Sequence, residues 1–292
     1  MSDAPSWEID GRDWPNREAS RFVEASGLRW HVQRMGCGPI LLMLHGTGAS
    51  THSWRDFAPA LAEGFDVIAL DLPGHGFTSA LPASRVSLPG MAEAVRDLLR
   101  VMEVSPALAV GHSAGAAILI RMALDEAIQP RGLVSLNGAL MPWRGIPAHI
   151  FSPAAKIMAA STLAARLFAL RARDRRVVER LVASTGSTLD PFGVELYHRL
   201  IRHPAHVRAS LAMMANWNLG TLTPDLGRLR PPLFLVVGEG DTTVLPSEAR
   251  RVRKQIPSAE VISLPGLGHL AHEERPREVA DLIRGFAGPL GL

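Results

Sequence analysis

A chain of 292 residues is long enough for one large domain, with or without an insertion. At 47% hydrophobic and 20% charged residues it has the composition of a packed protein, which excludes a disordered chain. A formal charge of +3 creates no overall field for nucleic acid, and a single cysteine, Cys37, excludes an internal disulfide.

The first twenty residues are polar and mixed in charge, with no apolar stretch of the signal-peptide kind. No window approaches the roughly 18 unbroken apolar residues of a membrane span. The expectation is a cytoplasmic protein without a transmembrane segment. "SRFVEASGLRWHVQRMG" reads as a hairpin at a sheet edge. Buried strands are expected at Pro39–Gly46, Phe65–Gly74, Pro106–Ser113, Gly132–Gly138, Pro231–Asp241 and Ala259–His269. The early ones alternate with helical stretches such as "LPGMAEAVRDLLRVME" and "AGAAILIRMALDEA". Near-continuous apolar strands separated by helices predict an α/β fold, with a mostly parallel sheet covered on both faces.

One interval breaks the rhythm. Between "GLVSLNG" and "PPLFLVVG" the chain is far longer than one crossover helix requires. Helices are expected around Pro153–Ala172, Asp174–Ser184, Phe192–Arg202 and Ala205–Trp217. The organisation predicted is a core of residues 1–140 and 218–292, with a helical cap of residues 141–217 inserted between two core strands. That cap carries eleven basic residues, Arg171, Arg175 and Arg176 among them, against four acidic ones. The bland reading is a solvated basic face; the functional one is attraction of an anionic ligand, membrane surface or acidic partner. Trp143, Phe151, Met158, Met213, Met214 and Trp217 are expected to form its apolar inner side.

In "GHSAG", Ser113 ends a predicted strand and opens a predicted helix. So sharp a turn requires minimal side chains at Gly111 and Gly115, and it lifts the serine hydroxyl above the sheet. The alternative is a serine that merely caps a helix. A serine hydroxyl needs a base, and the base needs an orienting acid. Asp241 follows "LFLVVGEG" and His269 follows "EVISLPGLG", both at the carboxyl edge of the sheet where Ser113 sits. The oxyanion of an acyl reaction would be held by the backbone N–H groups of Ala114 and Thr47, the latter in "HGTG". A dinucleotide loop is a poor reading of "GTGAST", because Thr51 stands at the third glycine position. The histidines of "HLAH" and "YHRLIRHPAH" lack metal-site spacing, so no metal or cofactor is expected. Asp71 and His75 read as loop-shaping residues, His45 as support for the oxyanion loop, and Asn137 as a weaker acid candidate than Asp241. His112, Trp143, Met213 and Trp217 are substrate-pocket candidates.

"HGTG", "DLPGHGFT", "GHSAG", "GEGD" and "GLGH" occur in the order in which the α/β-hydrolase superfamily carries them, and the chain resembles that superfamily over nearly its whole length outside the cap. The resemblance implies Ser113 as nucleophile, Asp241 as acid and His269 as base. "GRDWPNREASRFVEASGLRWHVQRMG", "LMLHGTGASTHSWRD", "LVSLNGAL", "MMANWNL" and "LPGLGHLAHEERP" further resemble the BchO-type magnesium chelatase accessory proteins of bacteriochlorophyll synthesis. That resemblance implies a role around magnesium insertion into protoporphyrin IX. The substrate would be a small molecule, a tetrapyrrole or its ester, with magnesium chelatase subunits as partners and no nucleic acid. Two functions follow: a capped serine hydrolase of esters, thioesters or amides, or a tetrapyrrole-binding or chelatase-contacting accessory protein in which hydrolysis is secondary or absent.

Overall fold

The apolar runs become the strands of one eight-stranded sheet in a computed structural model that describes residues 3–142 and 161–292. The strands are β1 (Ser20–Ala25), β2 (Leu28–Met35), β3 (Ile40–Leu44), β4 (Asp66–Leu70), β5 (Leu108–His112), β6 (Gly132–Leu136), β7 (Leu233–Gly238) and β8 (Glu260–Leu264). Their order is β1-β2-β4-β3-β5-β6-β7-β8. The β1–β2 and β2–β4 pairs are antiparallel, and every other pair is parallel. The expected edge hairpin is present. Ser26 and Gly27 both take positive φ (50° and 76°), as a two-residue turn matched to strand twist requires.

Alternation along each strand splits the apolar runs between two faces. Leu42, Leu44, Ile68, Leu70, Ala109 and Leu235 face one apolar cluster, which α2 (Leu88–Val101) and α3 (Ala114–Leu124) complete. Leu41, Met43, Val67, Val110, Val134 and Val236 face the other, with α1 (Phe57–Leu61) and, near the C-terminus, Pro276–Ala287. Helix α2 starts where Ser87 accepts a hydrogen bond from the Gly90 N–H and a proline occupies the first turn. The α/β fold with both faces covered is therefore the one expected from the sequence.

Four helices lie between β6 and β7 among the described residues: α4 (Thr162–Arg171), α5 (Arg175–Ala183), α6 (Pro191–Ile201) and α7 (Pro204–Asn216). The last three begin and end within a residue of expectation, with Asp174 and Asp190 capping α5 and α6, whereas α4 starts at Thr162, capped by an extended Ser161 inside the stretch expected as one helix from Pro153 to Ala172. The stretch expected as helix over 153–160 lies outside the described residues. These helices share an apolar cluster with Ala49 and Leu270, which belong to the loops after β3 and β8. They thus stand over the carboxyl ends of the strands.

The polar N-terminal segment is a strap. Asp10 is buried and pairs with Arg202 at 2.6 Å, while the Ala205 N–H donates to the carbonyl of Asp3. Trp14 is buried too, and its indole N–H donates to Thr51 Oγ1 at 3.1 Å. Two tryptophans and a few carboxylates in a polar stretch were the available signal; which surface they clasp depends on helices nearly two hundred residues away.

Candidate active site

Ser113 sits at the turn between β5 and α3 with φ 51° and ψ −116°, a conformation that costs a non-glycine residue of order 1–3 kcal/mol. The backbone around it over-determines this geometry. The Ser113 N–H donates to the Leu136 carbonyl at 3.0 Å, and its own carbonyl accepts from Ala116 and Ala139. A Cβ on Gly115 would lie 2.1 Å from the Leu44 carbonyl oxygen, and one on Gly111 would lie 2.4 Å from the Ala116 nitrogen. Both glycines are therefore required by space, as the turn predicts.

The loop after β3 presses against this turn. A Cβ on Gly46 would meet Ser113 Cβ at 2.9 Å, and Gly48 takes a φ of 81°. His45 holds the loop from beneath: its Nε2 accepts from the Leu72 N–H at 2.8 Å, so its Nδ1 carries the proton donated to the Gly46 carbonyl at 2.7 Å. Burial pushes the His45 pKa down to about 4, which keeps it neutral in this role. Asp71 anchors both neighbouring loops, accepting from the N–H groups of Thr51 (2.7 Å) and Phe77 (2.9 Å) and from His31 Nδ1 (2.8 Å). Among the described residues no hydrogen bond occupies the backbone N–H of Thr47, or that of Ala114 at the first position of α3.

Asp241 and His269 meet from the ends of β7 and β8. His269 Nδ1 donates to Asp241 Oδ2 at 2.7 Å. Oδ2 also accepts from Asn137 Nδ2 (2.8 Å), and Oδ1 accepts from the N–H groups of Thr243 and Val244. Asn137 is thus a hydrogen-bond donor to the Asp241 carboxylate. With Nδ1 carrying the proton, Nε2 of His269 is left as the basic nitrogen. His112, next to Ser113, packs its ring 4.7 Å from that of His269, and its Nε2 donates to the His269 carbonyl at 2.9 Å. Ser113, Asp241 and His269 are brought to one edge of the sheet, although Ser113 Oγ makes no hydrogen bond to His269 in this structure.

The pocket candidates divide. Met213 is fully buried, with its sulfur 3.5 Å from Thr47 Oγ1, so it does reach the loop beside Ser113. Trp217 is half-buried against the larger core cluster. Met214 points out of the expected inner side, at 46% exposed, because it lies one residue round the helix from Met213. His112 backs His269 and is almost fully buried. Trp143, Phe151 and Met158 lie outside the described residues.

Sequence reasoning missed the clasp on both loops. The turn after α5 supplies the Thr185 carbonyl to the N–H groups of Thr242 and His269, and Ser187 Oγ to the N–H of Leu270. Gly186, at φ 78°, lies so close to Gly240 that a Cβ would meet its carbonyl at 1.9 Å. "STGST" carries a turn signal, but nothing in it says which loops it will touch.

Behind His112 lies a buried layer of His272, Glu273 and Tyr197, the first two from the short helix α9 (Ala271–Glu274), which follows α8 (Ser247–Gln255) and β8 along the chain. Burial lowers the His272 pKa to about 3. Tyr197 donates its hydroxyl hydrogen bond to Glu273 Oε1 at 2.7 Å. Burial nevertheless raises the Glu273 carboxyl to about 8, outweighing the Tyr197 hydrogen bond and the Arg55 charge. The folded value lies above the ordinary 4.5, so this group's contribution is full below about 4.5 and lost as pH rises toward 8. Glu273→Gln, permanently neutral, should therefore be more stable than wild type by about 1–3 kcal/mol at mildly alkaline pH and little changed near pH 5. Urea melts at the two pH values read this directly; an equal shift at both would refute the protonated carboxyl.

The alpha/beta hydrolase fold family profile matches residues 39–276. The magnesium-chelatase 30 kDa subunit of Rhodobacter capsulatus is 38% identical over 263 residues, covering 89% of this chain and 92% of that one. The uncharacterized hydrolase YugF of Bacillus subtilis (strain 168) is 27% identical over 260 residues, covering 88% and 92%. Among solved structures, the epoxide hydrolase CorEH without ligand superposes with a TM-score of 0.76 at 24% identity, covering 93% of this chain and 99% of that one, a likeness of fold. The sheet order, the strained turn at Ser113 and a family profile spanning most of the chain agree, and the protein belongs to the alpha/beta hydrolase fold family.

Proposed function

We propose that this protein is a capped serine hydrolase of an ester, thioester or amide, acting in the cytoplasm around the magnesium chelatase step of bacteriochlorophyll synthesis. The observation that carries the reading is the 2.7 Å Asp241–His269 hydrogen bond at the same sheet edge as the strained turn bearing Ser113. In this reading His269 Nε2 takes the Ser113 proton as Oγ attacks the acyl carbon. The N–H groups of Thr47 and Ala114 hold the oxygen that becomes negative. His269 then protonates the leaving group, and water resolves the acyl-enzyme through the same base. Asp241 keeps the imidazole in its Nδ1–H tautomer and stabilises the imidazolium. Residues 141–217 act as the cap, with Met213 forming an apolar wall beside Thr47.

The pathway part rests on the relative named as a magnesium-chelatase subunit, and it makes a tetrapyrrole or its ester the substrate class. The same relative favours a second reading, in which the scaffold binds a tetrapyrrole or contacts the chelatase and turnover is secondary. Labelling with a fluorophosphonate probe, with and without protoporphyrin IX and its magnesium complex, separates the parts. We expect labelling at Ser113 that both tetrapyrroles suppress. Absence of labelling would defeat the nucleophile, and labelling indifferent to tetrapyrroles would defeat the substrate class. Gly46→Ala tests the oxyanion loop. Its Cβ would force the loop away from Ser113 and lower kcat/KM by about 10²–10³-fold, the scale of one lost oxyanion donor. Wild-type kinetics in this variant would remove Thr47 from the site.

A further inference from the structure

Helix α4 is built inside out. Its inward face is alanine only: Ala165 and Ala169, continued by Ala172, are all buried. Its large apolar residues point outward, with Leu163, Leu167 and Leu170 at 65%, 54% and 55% exposed. At 100° per residue these leucines fall within an arc of about 60°, opposite the alanines. Arg166 lies on one flank of the stripe and Arg171 on the other. An ordinary surface helix has the reverse arrangement, with polar residues outward.

We propose that this face of α4 is a docking surface for an anionic lipid bilayer, with the leucines entering the headgroup–acyl boundary and the arginines meeting lipid phosphates. A convex stripe of leucines between two arginines is the pattern of helices that lie in a membrane interface, where long basic side chains reach the phosphate level. The charge around it fits an anionic surface. Residues 161–183 hold six arginines against Asp174 and Glu179. Of those acids, Asp174 caps α5 and Glu179 pairs with Arg175, and among the described residues Arg171 and Arg176 have no ion pair. Arg166, among the described residues, has only a 3.4 Å pair with Asp3, both largely exposed. A second copy of the chain fits poorly, since a two-fold contact would set the same arginines against each other. No helix among the described residues is long and apolar enough to cross a membrane, so the contact is peripheral.

The test is flotation of the full chain with phosphatidylglycerol-rich vesicles and with pure phosphatidylcholine vesicles. Binding to the first and not the second is expected, weakening as salt is raised. Leu163→Ser/Leu167→Ser/Leu170→Ser should lower vesicle partitioning at least about tenfold. Arg166→Glu/Arg171→Glu should lower it comparably, since each basic side chain near an anionic surface is worth on the order of fivefold. All five positions are solvent-exposed, and unchanged thermal melts establish that the variants fold. Three results would overturn the proposal: no flotation of the wild type, flotation unaffected by both variants, or a leucine-dependent dimer or acidic-protein complex without lipid binding.

Discussion

Ser113→Ala is expected to lower hydrolysis of an activated ester by on the order of 10⁴–10⁶-fold, the scale on which members of a catalytic triad act. Fluorophosphonate labelling should vanish with it. The substitution removes one oxygen and leaves the backbone bonds of the turn, made by the N–H and carbonyl of residue 113, in place. Alanine suffers the same positive φ as serine, so stability should change by less than about 1 kcal/mol. In a host lacking the native gene, this variant should fail to restore bacteriochlorophyll if catalysis is the physiological role. Restoration at wild-type protein level would sink the catalytic reading and leave the accessory one.

The largest stability loss is expected at Asp71. Asp71→Ala should destabilise the protein by about 3–5 kcal/mol, because it strands the buried N–H groups of Thr51 and Phe77 and the His31 ring. Burial alone would favour the neutral acid, but His31 and the backbone donors outweigh it and hold the carboxyl well below the ordinary range. The folded value lies below the ordinary 3.8, so this stabilisation is present above that pH and is lost as pH falls further. Chemical denaturation of wild type and variant should therefore differ most near neutrality and converge in acid. A constant difference down to about pH 2 would contradict an ionised Asp71. Activity should fall as well, since Thr51 is tied through Asp71 to the loop that carries Thr47. Asp71→Asn, which keeps an acceptor for one N–H, should lie between the two.

Much of the fold was legible in local patterns. Apolar runs of strand length, a glycine on each side of Ser113 and the capping side chains of Ser87, Asp174 and Asp190 are features whose cause lies within a few residues. A turn that leaves no room for a Cβ at Gly111 or Gly115 writes itself into any sequence that makes it. The long interval before β7 announced inserted helices for the same reason: one crossover needs far fewer residues.

The pairings were not legible, because they join residues that only the folded sheet brings together. Asn137 reads in the sequence as a weaker acid candidate than Asp241, and only the pairing of β6 with β7 sets its amide against that carboxylate. The turn at Thr185–Ser187 grips two loops more than fifty residues away, and nothing local to Glu273 announces the Tyr197 hydroxyl that meets it from 76 residues up the chain. Helix α4 shows the limit most plainly. Its alanines and leucines make both faces apolar, so hydrophobic periodicity cannot choose between them. The close approach of its neighbours admits only the small side chains and turns the leucines outward.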